Sequence, residues 1–198
     1  MDAHSRYASS ITTEEISELP VASFRGRTFL VDDAGMFERV LPLLESKSVL
    51  GFDTETKPSF KKGKRTGVSL LQLADASEAF LFRLNKIGLP DELKSVLEDP
   101  SVLKIGVAVH DDLRALERVR RFNPVNFLDL QKYTEGFRIE DNSLRKLAAI
   151  VLKVRISKSQ QLSDWESPVL SEAQKSYAAT DAWVCRELYL RFQQLKLV

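Results

Sequence analysis

The stretch GFDTET, residues 51–56, follows the apolar run SVL and carries two acids, Asp53 and Glu55. In an extended strand alternate side chains share a face, so these two carboxylates point the same way, and Phe52 and Thr54 point the other. Adjacent carboxylates repel one another unless one is protonated or a cation bridges them. A donor set made only of oxygens suits Mg²⁺ or Mn²⁺. Ordinary solvation of a strand end explains such a pair equally well, so its meaning depends on what else the chain brings to it.

Two other acidic elements are candidates. His110-Asp111-Asp112 follows SVLKIGVAVH, residues 101–110, a nearly unbroken apolar run that reads as a strand buried on both faces. One of the two aspartates is expected to cap the helix that follows. The other is available to a ligand, because open α/β sheets bind ligands beyond their strand ends. The third element is YAATD, residues 177–181. Tyr177 and Asp181 are four apart and project from one helix face, beside the apolar Val184, Cys185 and Leu188. A tyrosine and an aspartate on a core-facing stripe are costly to bury without partners.

The elements that must position these residues alternate along the chain. Residues 1–27 read as an extension, with a short helix opening at TTEEI. Strands are expected at 27–31, 48–55, 67–75, 78–84, 101–110 and 125–130, the third and fourth joined by a hairpin at ASE. Helices are expected at 32–47, 90–99, 111–122, 143–154 and 171–195. Acids open the first of these, and Pro42 interrupts its interior. Ser171 and Gln174 have the spacing of a capping box for the last. Antiparallel strands followed by strand–helix alternation indicate an α/β fold, a mixed sheet flanked by helices.

Composition narrows the chemistry. At 198 residues with 43% hydrophobic and 29% charged residues, the chain has the balance of one globular domain. No apolar run approaches a membrane span, and the polar N-terminus MDAHSRYASSITTEE lacks a signal-peptide core, so a cytoplasmic location and no membrane partner are expected. A single cysteine and two histidines argue against a disulfide or a zinc site. A net charge of +1 neither demands nor excludes a nucleic-acid partner.

Taken together and in order, FDTET, GVAVHDDLRAL and YAATDA resemble motifs I, II and III of the DEDD exonuclease superfamily. The tyrosine four before the last aspartate matches its DEDDy branch, of which RNase D and the Werner-type exonucleases are members. GVSLLQLAD, NSLRKLA and SKSQQLSDWESPVLSEAQKSYAATDA extend the likeness over about residues 28–195. The resemblance implies an RNase-H-like fold with a mixed five- to six-stranded sheet, and an exonuclease domain over 28–198. RNase D itself carries further C-terminal helical domains, and no such module is expected within this chain. The resemblance assigns Asp53, Glu55, Asp112 and Asp181 as ligands of two divalent ions, Mg²⁺ or Mn²⁺, with Asp53 bridging. Asp111 is then not a ligand. Tyr177 is the fifth catalytic residue, a phenol that orients the attacking water.

The implied reaction is 3′–5′ hydrolysis of DNA or RNA, releasing nucleoside 5′-monophosphates. Between paired cations, an attacking water becomes more acidic and a leaving 3′ oxygen is stabilised. Substrate contacts are expected from KPSFKKGKR, residues 57–65, where Lys57, Lys61, Lys62, Lys64 and Arg65 offer charge to phosphates and Phe60 a ring to a base. A solvated charged turn is the competing reading. Thr54 and Gln72 complete the candidate contacts. Arg118, Arg120 and Arg121 read as a solvated face, Trp165 as packing, His110 as a strand-end residue, and Asp129 as a helix cap. A binding module that keeps the fold without chemistry is the alternative, but such a protein is expected to have lost one of the acids.

Overall fold

A computed structural model describes residues 7–58 and 67–196. Six strands, β1 (Arg27–Val31), β2 (Val49–Thr56), β3 (Val68–Ala74), β4 (Glu78–Phe82), β5 (Leu103–Gly106) and β6 (Phe127–Asp129), form one sheet in the order β1-β4-β3-β2-β5-β6. The central pairs β2–β3 and β3–β4 are antiparallel, and the flanking pairs β1–β4, β2–β5 and β5–β6 are parallel. The sheet is therefore mixed, as expected. Every residue of β3 and of β4 is buried, because helices cover both faces.

The first face carries Phe52, Leu71, Leu73, Phe80 and Phe82. Against it pack α2 (Ala34–Glu45), α4 (Asp91–Glu98) and α5 (Val109–Val119), separated in the chain by the short α3 (Leu84–Ile87). Asp33 caps α2 by accepting from the Met36 N–H, and Phe37, Val40 and Leu44 line its buried stripe. The other face is covered by the long α8 (Glu172–Lys196), whose N-terminus has the expected capping box: the Gln174 N–H donates to the Ser171 hydroxyl, and the Ser171 N–H donates to the Gln174 side-chain oxygen. Short helices α6 (Leu130–Thr134) and α7 (Leu144–Leu147) close the same side.

Five expectations are corrected. The strand read over 101–110 stops at Gly106; the chain turns through Ala108, a left-handed residue with φ 56°, and α5 begins at Val109. Neither Asp111 nor Asp112 caps that helix, because both already lie in its first turn. His110 is accordingly an exposed helical residue and not a strand end. The helix read over 143–154 is α7 continued by a π-helical turn, Ala148–Leu152, which ends at left-handed Lys153. The segment read as an extension is integrated from Tyr7 onward. Helix α1 (Thr13–Ser17) buries Ile16, Val21 bridges to Arg155, and the Phe24 N–H donates to Thr180 Oγ1 on α8.

Candidate active site

Strand β2 presents Gly51, Asp53 and Glu55 on the face covered by α8. A Cβ at Gly51 would lie 1.7 Å from the Ala182 carbonyl oxygen. Only a residue without a side chain lets the helix backbone settle onto the strand there. That close approach brings Asp181, the residue before Ala182, alongside Asp53. One ligand oxygen from each of Asp53, Glu55 and Asp181 falls within a group no wider than 4.8 Å. The side-chain alternation read from GFDTET and the helix spacing read from YAATD therefore meet at one point.

Asp112 stands outside that trio. It reaches the end of β2 from α5, on the side of the sheet that carries Phe52, and its Oδ1 accepts a 2.5 Å hydrogen bond from the Thr54 hydroxyl. The side chain of Thr54 is thus engaged within the protein, on the face opposite to Asp53 and Glu55, as strand alternation requires.

No lysine or arginine within salt-bridge distance neutralises these acids among the described residues. Burial, then the charges of Asp181, Asp112 and Glu55, hold the Asp53 carboxyl well above the usual range. Burial, then Asp181 and Asp112, push Glu55 up to about 8. Burial raises Asp181 to about 7 against the opposing influence of the Tyr177 hydroxyl, and raises Asp112 to about 6 against the hydrogen bond from Thr54. Asp181 Oδ1 is buried and lacks a hydrogen-bond partner. An all-oxygen trio with an orphaned acceptor and no internal cation fits a hard divalent ion. Tyr177 is driven far up by burial, then by the charges of Asp181 and Glu55, so it stays a phenol and a donor.

The other candidates separate clearly. Gln72 lies directly across from Asp53 in the β2–β3 register, but it has no exposed surface and both amide atoms lack partners. A fully enclosed side chain makes no direct contact with a substrate, so its expected role as a contact is corrected to a place beside Asp53 on the same face of the sheet. Lys57 pairs with Asp164 and Glu166, each at 3.4 Å. Phe60, Lys61, Lys62, Lys64 and Arg65 lie outside the described residues. Trp165 is buried and its ring contacts Tyr177 at 6.0 Å between centroids, a packing role that also fixes the tyrosine. Asp129 caps α6 through the Gln131 N–H and also accepts from the Ala108 N–H, tying down the turn into α5. Arg118, Arg120 and Arg121 are exposed, and Arg120 pairs with Asp91.

Asp53, Glu55 and Asp181 line a cleft of about 310 Å³ that is also lined by Ser143, Arg145, Lys158 and Gln161. Sequence reasoning missed these four. Arg145 lies in SLRKLA and Lys158 in SKSQQ, both part of the family likeness, but nothing in their spacing told that they share a cleft with the acids.

Residues 29–196 match the family model described as 3′-5′ exonuclease. The mouse bifunctional 3′-5′ exonuclease/ATP-dependent helicase WRN is 32% identical over 174 residues, which cover 85% of this chain and 12% of that protein. The crystal structure of the Nibbler EXO domain of Aedes aegypti superposes with a TM-score of 0.80 at 26% identity, covering 89% of this chain and 93% of that one. The EXD2 exonuclease domain soaked in Mn matches with a TM-score of 0.51 at 30% identity, over 84% of this chain and 89% of that one. The chain spans 12%, 40% and 26% of the lengths of the first three curated relatives it matches. Sheet order, converging acids and these likenesses lead to one statement: the chain belongs to the 3′-5′ exonuclease family of the DEDD-type superfamily, with its RNase-H-like fold.

Proposed function

We propose that this chain hydrolyses nucleic acid one nucleotide at a time from the 3′ end, releasing nucleoside 5′-monophosphates. The observation that carries the reading is the trio Asp53, Glu55 and Asp181, gathered within 4.8 Å with no lysine or arginine paired to it among the described residues. Asp53, Glu55 and Asp181 are the residues to hold one divalent ion, Mg²⁺ or Mn²⁺. Asp53 and Asp112 are the residues to hold a second. When bound, such ions supply a more acidic water and charge stabilisation at the leaving 3′ oxygen.

The protein's own groups do the rest. Tyr177, held as a phenol, donates a hydrogen bond and orients the attacking water from the α8 side of the cleft. Arg145 and Lys158, which line the same cleft, take the phosphates of the scissile strand, a sequence-independent contact. Without an ion, the raised carboxyls retain protons near neutral pH. Ion binding therefore competes with protons and strengthens as pH rises through about 6 to 8.

The test is a degradation assay with 5′-labelled and 3′-labelled DNA and RNA in Mg²⁺, Mn²⁺ or EDTA. Stepwise shortening of the 5′-labelled strand, early release of the 3′ label as a mononucleotide, and silence in EDTA are expected. Internal cleavage, or activity that persists in chelator, sinks the assignment.

A further inference from the structure

We propose that Thr54 is a positioning residue: its hydroxyl sets the carboxylate of Asp112, and through it the affinity of the second of the two cation positions. This deepens the reading above and rests on it.

Asp53 and Glu55 face α8, so the residue between them must face α5. Asp112 lies in the first turn of α5, after a turn through left-handed Ala108. The fourth acid therefore arrives from the far side of the sheet and does not belong to the trio gathered against α8. What ties it to the strand end is the single 2.5 Å bond from Thr54 Oγ1 to Asp112 Oδ1. A hydroxyl that donates to one carboxylate oxygen fixes the plane of the group and leaves the other oxygen for a ligand. Groups that orient a metal ligand in this way are typically worth about 10–100-fold in metal affinity. The α5 end is supported independently, because Asp129 accepts from the Ala108 N–H. Removing the Thr54 hydroxyl then frees the Asp112 side chain while leaving its backbone in place.

Thr54→Val replaces the hydroxyl with a methyl of similar size, and Thr54→Ser keeps the donor. Mn²⁺ binding is followed by calorimetry and by electron paramagnetic resonance of the intact chain, beside the rate of 3′ trimming as a function of Mn²⁺ concentration. For wild type and Thr54→Ser, two bound ions per chain with spin–spin coupling between them are expected. For Thr54→Val, the tighter site is unchanged, the weaker dissociation constant rises about 10-fold or more, and the Mn²⁺ needed for half-maximal rate rises with it. At saturating Mn²⁺ the trimming rate returns towards wild type. Equal two-site binding in Thr54→Val and wild type overturns the proposal, as does an equal loss in Thr54→Ser. Weakening of both sites together in Thr54→Val also overturns it, since a general disturbance of the strand end acts on both. Should wild type itself bind no Mn²⁺, the parent reading fails instead.

Discussion

The sheet holds two clusters of carboxylates, and the chain treats them in opposite ways. At the β3–β4 turn, Asp75 and Glu78 each lie 2.7 Å from the Lys47 ammonium, and Arg27 adds a second partner to Glu78. The Lys47 hydrogen bond leads the causes that hold Glu78 below its ordinary range. Burial pushes Asp75 up, yet Lys47 and the N–H groups of Ser77 and Glu78 outweigh it, and Asp75 is lowered too. At the end of β2, Asp53, Glu55, Asp112 and Asp181 are all raised, with burial the first cause at each. Both clusters remove carboxylates from water, and among the described residues only the first is paired with the chain's own cations. Charge that a chain buries and neutralises supports the fold. Charge that it buries and leaves bare weakens the fold and is retained for a ligand.

The largest effect expected is at the bare cluster. Asp53→Asn and Asp181→Asn should each lower 3′ trimming by about a thousandfold or more, the loss of several kcal/mol of charge stabilisation. Their melting temperatures in EDTA should hold or rise, because a repelling charge has gone. A variant that trims at the wild-type rate, or that unfolds, erases the distinction between the clusters. Tyr177→Phe tests the donor beside the acids. A loss of about 10²-fold in rate at unchanged Mn²⁺ affinity is expected from single-turnover kinetics and calorimetry.

The neutralised cluster should answer in the reverse sense. Lys47→Met leaves Asp75 without a cation and Glu78 with Arg27 alone, and should cost about 1–3 kcal/mol in denaturant unfolding, with the trimming rate unchanged under native conditions. The smallest effect is a pH profile of melting temperature in EDTA. The bare acids have folded values above their unfolded ones, so their contribution is complete below about pH 4 and fades as pH rises through about 7 to 8. Asp75 and Glu78 have lowered values, so theirs is present above the ordinary carboxylate range and fades as pH falls below it. A maximum between the two limbs is expected, with Mn²⁺ abolishing the alkaline limb alone. A profile insensitive to Mn²⁺ above pH 7 would count against cation binding at the cluster.

Much of the fold could be read early because its signals are local. The stripe Phe37, Val40, Leu44 marks α2, and the Ser171–Gln174 pair marks the start of α8. The reading failed where tertiary contacts outvote local preference. Residues 107–110 are apolar enough for a strand, yet the turn at Ala108, held by Asp129, sends them into α5. The AAIVL run has a helical pattern, but it forms a π turn within the apolar cluster it shares with α8.

The same division runs through the site. Residue type and spacing alone put Asp53 with Glu55 and Tyr177 with Asp181, because the periods of strand and helix fix which side chains share a face. They also supplied an acid set that protons or cations must reconcile. That three acids form one group while Asp112 is held apart by Thr54 was decided by which helix covers which side of the sheet. The partners of Lys57 and the presence of Arg145 and Lys158 in the cleft of the acids were decided there as well. Periodicity determines the direction of a side chain within its own element. What that side chain meets depends on elements far away in the chain, whose approach is set by packing, as at Gly51 beneath Ala182.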